Sequence, residues 1–184
     1  MRIIGGLARG TKLFTLEGLN TRPTLDRVRE SIFNIIQNDI KDSVVLDLFA
    51  GSGAVGLESI SRGAKKAVLC DMSKEAIEII NKNVKKLRME EKVQILCIDY
   101  ENLLKNTQEQ FDLIYIDPPY NTNYVSNSIK LINDRNLLAE EGIIIAETDE
   151  EERVKDEIDK LKTSINIYDT RKYGRARLIF MRKE

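Results

Sequence analysis

Val44-Val45-Leu46-Asp47-Leu48-Phe49-Ala50-Gly51-Ser52-Gly53-Ala54-Val55-Gly56 is the stretch that decides how this chain folds. Val44–Leu46 is a short apolar run of the kind that makes a strand buried on both faces. Gly51, Ser52 and Gly53 follow it closely enough to turn the chain sharply. From there Leu57 and Ile60 mark a helix that ends at Gly63. A strand, a glycine turn and a helix in that order are the first unit of an α/β fold with a mostly parallel sheet, and they leave the turn open to a ligand.

Reading onward, the same unit recurs. Ala67–Cys70 is a second strand ending at Asp71, and Ser73 starts a helix whose stripe is Ile77, Ile80, Val84 and Leu87. Val93–Ile98 is a third strand ending at Asp99, followed by a short helix over residues 100–106. Phe111–Ile116 is a fourth, running into Asp117-Pro118-Pro119-Tyr120. A helix is expected near residues 124–133, with a second short one to Ala139, then a fifth strand over Gly142–Glu147 and a charged helix over 150–161. Ile165–Tyr168 and Ala176–Phe180 are the last strands. Too few residues separate them for a crossover, so they are antiparallel. Reading backward, Thr24 is expected to cap a helix with the stripe Leu25, Val28, Ile32, Ile35 and Ile36. Residues 1–20 read as a β-hairpin arm around Gly5, Gly6 and Gly10, ahead of a single domain over 21–184.

Ligands of such sheets gather at the carboxyl ends of the strands. Asp47, Asp71, Asp99 and Asp117 each end a predicted strand there, which suits a ligand better than an apolar core. Gly51-Ser52-Gly53-Ala54-Val55-Gly56 also matches G-x-G-x-x-G, with Asp71 twenty residues after Gly51. Glycines let a ligand come close and an acid at the end of strand two accepts from ribose hydroxyls. That leaves NAD and S-adenosylmethionine both open. Asp47 tilts the choice, because a carboxylate near the turn suits a cationic methionine moiety better than a pyrophosphate. Asp99-Tyr100 tilts it further, offering an acceptor to an adenine amino group.

Asp117-Pro118-Pro119-Tyr120 tilts it most. An aryl amino nitrogen is a poor nucleophile, because its lone pair is delocalised into the ring. It has to be held in line with a methyl donor and given hydrogen-bond acceptors. The Asp117 carboxylate and the Pro118 carbonyl can take its two N–H groups. Proline fixes φ and adds no competing donor, and Tyr120 offers a flat ring to stack on the base. Orientation and electrostatics then carry catalysis, without a metal.

The composition narrows the classes. The chain has 184 residues, 42% hydrophobic, enough for one domain with a sizeable core. It has no histidine, so histidine metal sites, histidine general bases and Ser-His-Asp triads are excluded. Cys70 and Cys97 are too few for a disulfide scaffold and read as buried free thiols. No stretch approaches the about 20 apolar residues that span a bilayer, and no signal-peptide pattern opens the sequence; a cytoplasmic protein is expected. The formal net charge is -1, but it is unevenly spread. Residues 1–35 hold Arg2, Arg9, Lys12, Arg22, Arg27 and Arg29 against Glu17, Asp26 and Glu30. Residues 165–184 are basic as well, with Arg175 in the turn region. Residues 140–160 are strongly acidic and read as a solvated face. The basic ends are placed to meet phosphates.

On these residues the chain resembles the bacterial 16S ribosomal RNA guanine-N2 methyltransferases of the RsmD family. The likeness covers Met1–Gly6 with Arg9-Gly10 and Lys12-Leu13, and Arg22-Pro23-Thr24 with Asp26–Glu30 and Phe33-Asn34. It continues through Val45–Gly53 with Gly56–Glu58, Ser61–Ala64 and Phe111–Ile114 leading into Asp117–Tyr120, and ends at Lys172–Arg175. The arm and the Arg22-Pro23-Thr24 segment make it specific. Two places depart from the pattern: Asp71 stands where the family often has Glu, and Asn121-Thr122-Asn123-Tyr124 replaces a loop that often bears lysine or glycine.

The resemblance implies a class I, Rossmann-like methyltransferase fold of seven strands, with an antiparallel strand at the carboxyl end. It implies methyl transfer from S-adenosylmethionine to N2 of a guanine, the base numbered 966, in 16S rRNA of the small ribosomal subunit or its assembly intermediate. Asp117, Pro118, Pro119 and Tyr120 would form the catalytic loop. Asp47, Phe49, Ala50, Gly51, Ser52, Gly53, Asp71, Met72, Asp99 and Tyr100 would bind the cofactor, and Arg22, Thr24, Arg2, Arg9 and Arg175 the RNA. A monomer without metal is expected. An adenine-N6 or other amino-group methyltransferase of DNA or RNA would use nearly the same loop chemistry, but 184 residues leave little room for a separate target-recognition domain.

Overall fold

Near-continuous apolar runs along the central strands build a sheet with two buried faces. The computed structural model describes residues 1–16, 23–119 and 122–184, with the backbone alone at 23–25. The order is α1 (Pro23–Ile35), β1 (Val44–Asp47), α2 (Ala54–Ser61), β2 (Lys66–Asp71), α3 (Lys74–Leu87), β3 (Val93–Cys97) and α4 (Tyr100–Asn106). Then come β4 (Phe111–Ile116), α5 (Tyr124–Asp134), β5 (Leu138–Thr148), α6 (Glu151–Leu161), β6 (Ile165–Tyr173) and β7 (Ala176–Lys183). The seven strands lie in the order β3-β2-β1-β4-β5-β7-β6. Strands β1 to β5 are parallel, and β7 is antiparallel to both β5 and β6. This is the Rossmann-like topology expected, with the chain switching direction between β1 and β4.

Odd-numbered residues of β1, β4 and β5 share one face. Val45, Leu113, Tyr115, Ile143 and Ile145 pack there with Val28, Ile32 and Phe33 of α1 and Ile36 just after it, with α2 and α3, and with Ile3 and Leu13 of the amino-terminal segment. Even-numbered Leu46, Ile114, Ile116, Ile144 and Ala146 face the other way, against Leu103 and Leu104 of α4, Ile129 and Ile132 of α5, and Val154 and Ile158 of α6. Strands buried on both faces have to be apolar throughout, which is why these runs read so plainly.

Residues 1–13 form a small antiparallel bridge, Arg2 opposite Lys12, and lie on α2 rather than apart from it. Glu58, fully buried on α2, accepts the backbone N–H of Ile4 at 2.8 Å and of Gly5 at 2.7 Å. It also accepts Arg62 Nε at 2.8 Å. Asn83 of α3 ties the same segment to the glycine turn. Its amide accepts the Phe14 N–H at 2.7 Å and donates to the Ser52 carbonyl at 2.9 Å.

Several expectations are corrected. No second helix runs to Ala139. Asn136 takes a left-handed φ of 51°, and the chain enters β5 at Leu138 beside Phe111, with Leu137 and Leu138 both buried. Apolar burial against β4 outweighs the helix propensity of Leu-Leu-Ala-Glu-Glu. Strands β6 and β7 are longer than their apolar cores, because backbone pairing carries polar residues along with it. Thr24 does not cap α1. The helix starts at Pro23, whose fixed φ suits the first helical position, and Thr24 falls inside the first turn. Ile35 is 37% exposed at the end of α1, and Phe33 takes its place in the core. Cys70 is buried, but Cys97 is exposed because β3 is the outer strand of the sheet. Among the described residues, no helix is long and apolar enough to cross a membrane. None of their Cys, Asp and Glu side chains form a group that could hold a metal ion.

Candidate active site

The glycine turn is set by two carboxylates. Asp71, at the end of β2, accepts the Gly51 N–H at 2.9 Å on one oxygen and the Ser73 N–H at 2.8 Å on the other. Each oxygen keeps a lone pair for a ligand hydroxyl. Asp47, at the end of β1 and only 2% exposed, accepts the Gly56 N–H of α2 at 3.1 Å. Burial pushes its pKa up to about 7, against the Gly56 hydrogen bond and with a smaller contribution from Asp71. Gly53, at φ 77°, begins α2 in a conformation that side chains resist. A Cβ on Gly56 would stand 2.1 Å from Leu69 Cδ2, so the helix can approach β2 only without one. Above Gly51 the space is open: a Cβ there would meet nothing within 4 Å.

Asp117 follows β4 on the same sheet face as Asp47. Between them lies a cleft of about 240 Å³, lined by Phe49, Ala50, Gly51 and Ser52 of the turn. Tyr115, Asp117 and Glu147 close it on the sheet side, with Met1 and Arg29 across from them. Glu147, at the end of β5, is 6% exposed and accepts the Tyr115 hydroxyl at 2.6 Å. Burial raises its pKa, opposed by that hydrogen bond. Burial, then the charges of Glu147 and Asp47, hold the Asp117 carboxyl well above the ordinary carboxylate range. Across the cleft Arg29 of α1 is 4% exposed, bonded to Asp26 at 3.0 Å and to the Arg2 carbonyl, and 3.7 Å from Glu58. The cleft thus gathers acids where β1, β4 and β5 end, and a cationic ligand there would favour their charged forms.

Pro118 is buried and Pro119 exposed. The Thr122 hydroxyl closes the loop by donating to the Pro119 carbonyl at 2.9 Å. On the opposite face, Phe49, Tyr100 and Tyr124 form an aromatic trio, Phe49 stacked on Tyr124 at 5.9 Å and Tyr100 4.9 Å from Tyr124. Asp99 caps α4, accepting the Glu101 and Asn102 N–H groups on one oxygen. Met72 is 73% exposed beside Asp71. The residues present therefore fit an adenosyl-type ligand: an open cradle over Gly51, an anchored carboxylate in Asp71, and acids where a cationic centre would sit.

Over residues 1–182 the chain matches the family described as conserved hypothetical protein 95. The chain belongs to this family. Its relatives include the ribosomal RNA small subunit methyltransferase D of Haemophilus influenzae, 37% identical over 82% of this chain and 80% of that protein. The protein of the same name from Escherichia coli K12 is 36% identical over 82% of this chain and 76% of its own length. The solved structure of Escherichia coli yhhF matches with a TM-score of 0.86 and 31% identity, covering 100% of this chain and 98% of that one. With the fold and the cradle, this makes the chain an S-adenosylmethionine-dependent methyltransferase related to the RsmD proteins.

In this methyltransferase the sequence-predicted residues come together only in part. Asp47, Phe49, Ala50, Gly51, Ser52 and Asp117 come together in the cleft. Gly53 caps the start of α2, Asp71 and Met72 stand at the end of β2, and Asp99 and Tyr100 follow β3. Arg2 and Arg9 gather with Arg27 around a separate concavity of about 530 Å³ that also holds Asp26 and Glu30. Arg175 is exposed in the β6–β7 turn, which the register places beyond the carboxyl end of β5. Arg22 and Tyr120 lie outside the described residues, as does the Thr24 side chain.

Sequence reading missed Glu147, Tyr115 and Arg29. Glu147 was counted in an acidic, solvated stretch and Arg29 in a basic surface, yet both are buried at the cleft. The available signal was parity: Glu147 follows Ile143 and Ile145 on the inner face of β5.

Proposed function

We propose that this methyltransferase modifies the exocyclic N2 of a guanine in 16S rRNA of the small ribosomal subunit, the base numbered 966. The observation that carries this reading is Asp117, which opens into the same cleft as the Gly51 turn and so puts an amine acceptor beside the cofactor cradle. The target itself is supported by identity to the small-subunit methyltransferases D over about four-fifths of both chains.

The cofactor supplies an electrophilic methyl group. Asp117 and the Pro118 carbonyl receive the two N–H groups and aim the nitrogen, and Tyr120 stacks on the base. Asp71 holds the ribose, while Asp47 and the turn residues Phe49 to Gly53 seat the methionine end. Met72, Asp99 and Tyr100 border the adenine. Residues 1–20 act as an RNA-contacting arm on a catalytic domain of 21–184, with Arg2, Arg9, Arg22, Thr24 and Arg175 meeting the RNA. The enzyme works as a cytoplasmic monomer without metal, and the guanine leaves its stack to reach the loop.

Mass spectrometry of digested 16S rRNA from strains with and without the gene tests this. The expected result is loss of one N2-methylguanosine at position 966. Its persistence, with loss of a methyl group from another base, would transfer the assignment to that base.

A further inference from the structure

The loop that follows Asp117 leans on α6. Pro118, Pro119, Thr122 and Val125 lie against Glu147 and Thr148 of β5 and against Arg153 and Val154 of α6, with a crevice of only about 10 Å³ between them. That is hardly the room one water needs, so the helix backs the loop directly. Along the sequence, residues 140–160 read as a solvated acidic face, yet Arg153 within them reaches the loop.

Arg153 is oriented by acids one turn away on either side. Its Nε donates to Glu150 at 3.0 Å, its Nη2 lies 2.8 Å from the same carboxylate, and its Nη1 donates to Glu157 at 2.6 Å. Contacts from three nitrogens fix the plane of the guanidinium. Its outward N–H groups then meet the loop. Nη2 donates to the Thr122 carbonyl at 3.2 Å and Nη1 to Asn123 Oδ1 at 3.3 Å. From Thr122 the connection continues inward, since its hydroxyl donates to the Pro119 carbonyl at 2.9 Å. The Ser126 hydroxyl of α5 donates to Glu157 at 2.8 Å and ties the start of that helix to the same acid.

Asn123 stands at the N-cap of α5, where an asparagine side chain ordinarily accepts a backbone N–H of the first turn. It makes no such bond. Its Oδ1 is turned to the neighbouring helix instead, where it accepts from Arg153.

We propose that Arg153 is a positioning residue for methyl transfer: it holds Thr122 and Asn123 and so fixes the far end of the loop whose near end is Asp117, setting where the Pro118 carbonyl and Tyr120 meet the target base. The proposal deepens the amine-methylation reading and rests on it for its kinetic outcome. The near end of the loop is fixed by β4, where Ile116 pairs with Ala146. A short loop held at both ends keeps its acceptors in place before the base arrives, and alignment of nitrogen with the methyl carbon governs much of the rate. Arg153 does not line the cofactor cleft, so its loss acts on transfer rather than on cofactor binding.

Variants of the full-length protein test this. Arg153→Met removes the donors and keeps a long side chain. Single-turnover methylation of small subunits from a strain lacking the gene should slow by about tenfold or more, with S-adenosylmethionine affinity by calorimetry within about twofold of wild type. Lys155→Met breaks another ion pair of the same helix, to Glu151 at 2.5 Å, and should leave both unchanged. Asn123→Ala should lose part of the rate and add nothing to the loss in Arg153→Met, because the two side chains act through one contact. Independently of any substrate, hydrogen exchange at the Asn127 amide, which donates to the Asn123 carbonyl at 3.0 Å, should quicken in Arg153→Met. Loss of these hydrogen bonds predicts about two- to tenfold faster exchange there.

A rate within about twofold of wild type in Arg153→Met, an equal loss in Lys155→Met, or a loss of cofactor affinity as large as the loss of rate would overturn the proposal. Full additivity with Asn123→Ala or an unchanged Asn127 amide would do the same. Wild-type protein inactive on those subunits would count against the rRNA reading alone, and exchange at Asn127 would still decide whether Arg153 holds the loop.

Discussion

Replacing Asp47 by Asn should make the ligand-free protein more stable at pH 8 while weakening its hold on the cofactor. Asp47 is buried and its carboxyl titrates at about 7, raised from 3.8, chiefly because burial penalises the charge. The folded state therefore binds this proton more tightly than the unfolded chain does. The sign follows: stability is gained as pH falls through 7 towards 4 and is lost as pH rises over the same range. About three pH units at about 1.4 kcal/mol each give roughly 4 kcal/mol of destabilisation above pH 7, an upper figure because buried sites relax. Asn removes the charge and can still accept the Gly56 N–H through its amide oxygen. Urea unfolding of both proteins between pH 4 and pH 8 measures the difference directly. The stability advantage of Asp47→Asn should be on the order of 2–4 kcal/mol at pH 8 and should shrink to less than about 1 kcal/mol near pH 4. Calorimetry should show weaker S-adenosylmethionine binding in the variant. An advantage that is absent at pH 8, or that is the same at both ends of the range, would refute the reasoning.

Asp117→Ala should lower kcat by about 10²- to 10³-fold with cofactor affinity within a few-fold of wild type, as read by single-turnover methylation and calorimetry. Gly56→Ala should cost about 1–3 kcal/mol in denaturant unfolding, since its Cβ collides with Leu69 on β2. Glu58→Ala should cost on the order of 3–5 kcal/mol, because it leaves two backbone N–H groups and Arg62 Nε without their acceptor and removes a charge 3.7 Å from buried Arg29. It should also make the first 13 residues the earliest site of limited proteolysis.

Most of the parallel sheet was legible, because a strand buried on both faces must be apolar and the glycine turn fixes where the first helix starts. The acids at the ends of β1, β2, β3 and β4 were legible for a related reason: nothing in an apolar core calls for them. The Ser73 cap was equally plain, and its hydroxyl accepts the Ala76 N–H at 3.3 Å. The entry into β5 was not, since Leu137 to Glu141 carries helix-favouring residues and only contact with Phe111 draws it into the sheet. Local charge counts misplaced Arg29 and Glu147. A count along the chain treats each charge as solvated, and only the fold shows that these two face each other across a cleft. Cys97 is the converse case: its strand is apolar enough to look internal, but it lies at the sheet's margin.

The way Glu58 grips Ile4 and Gly5 makes the amino terminus hard to dispense with. A chain shortened by ten residues would deprive the buried Glu58 side chain of two of its donors, on the helix that follows the glycine turn. Trimming for crystallisation, or a bulky tag fused directly to Met1, whose sulfur accepts the Ser52 hydroxyl at the lip of the cleft, would thus disturb the methyl-donor site from a distance.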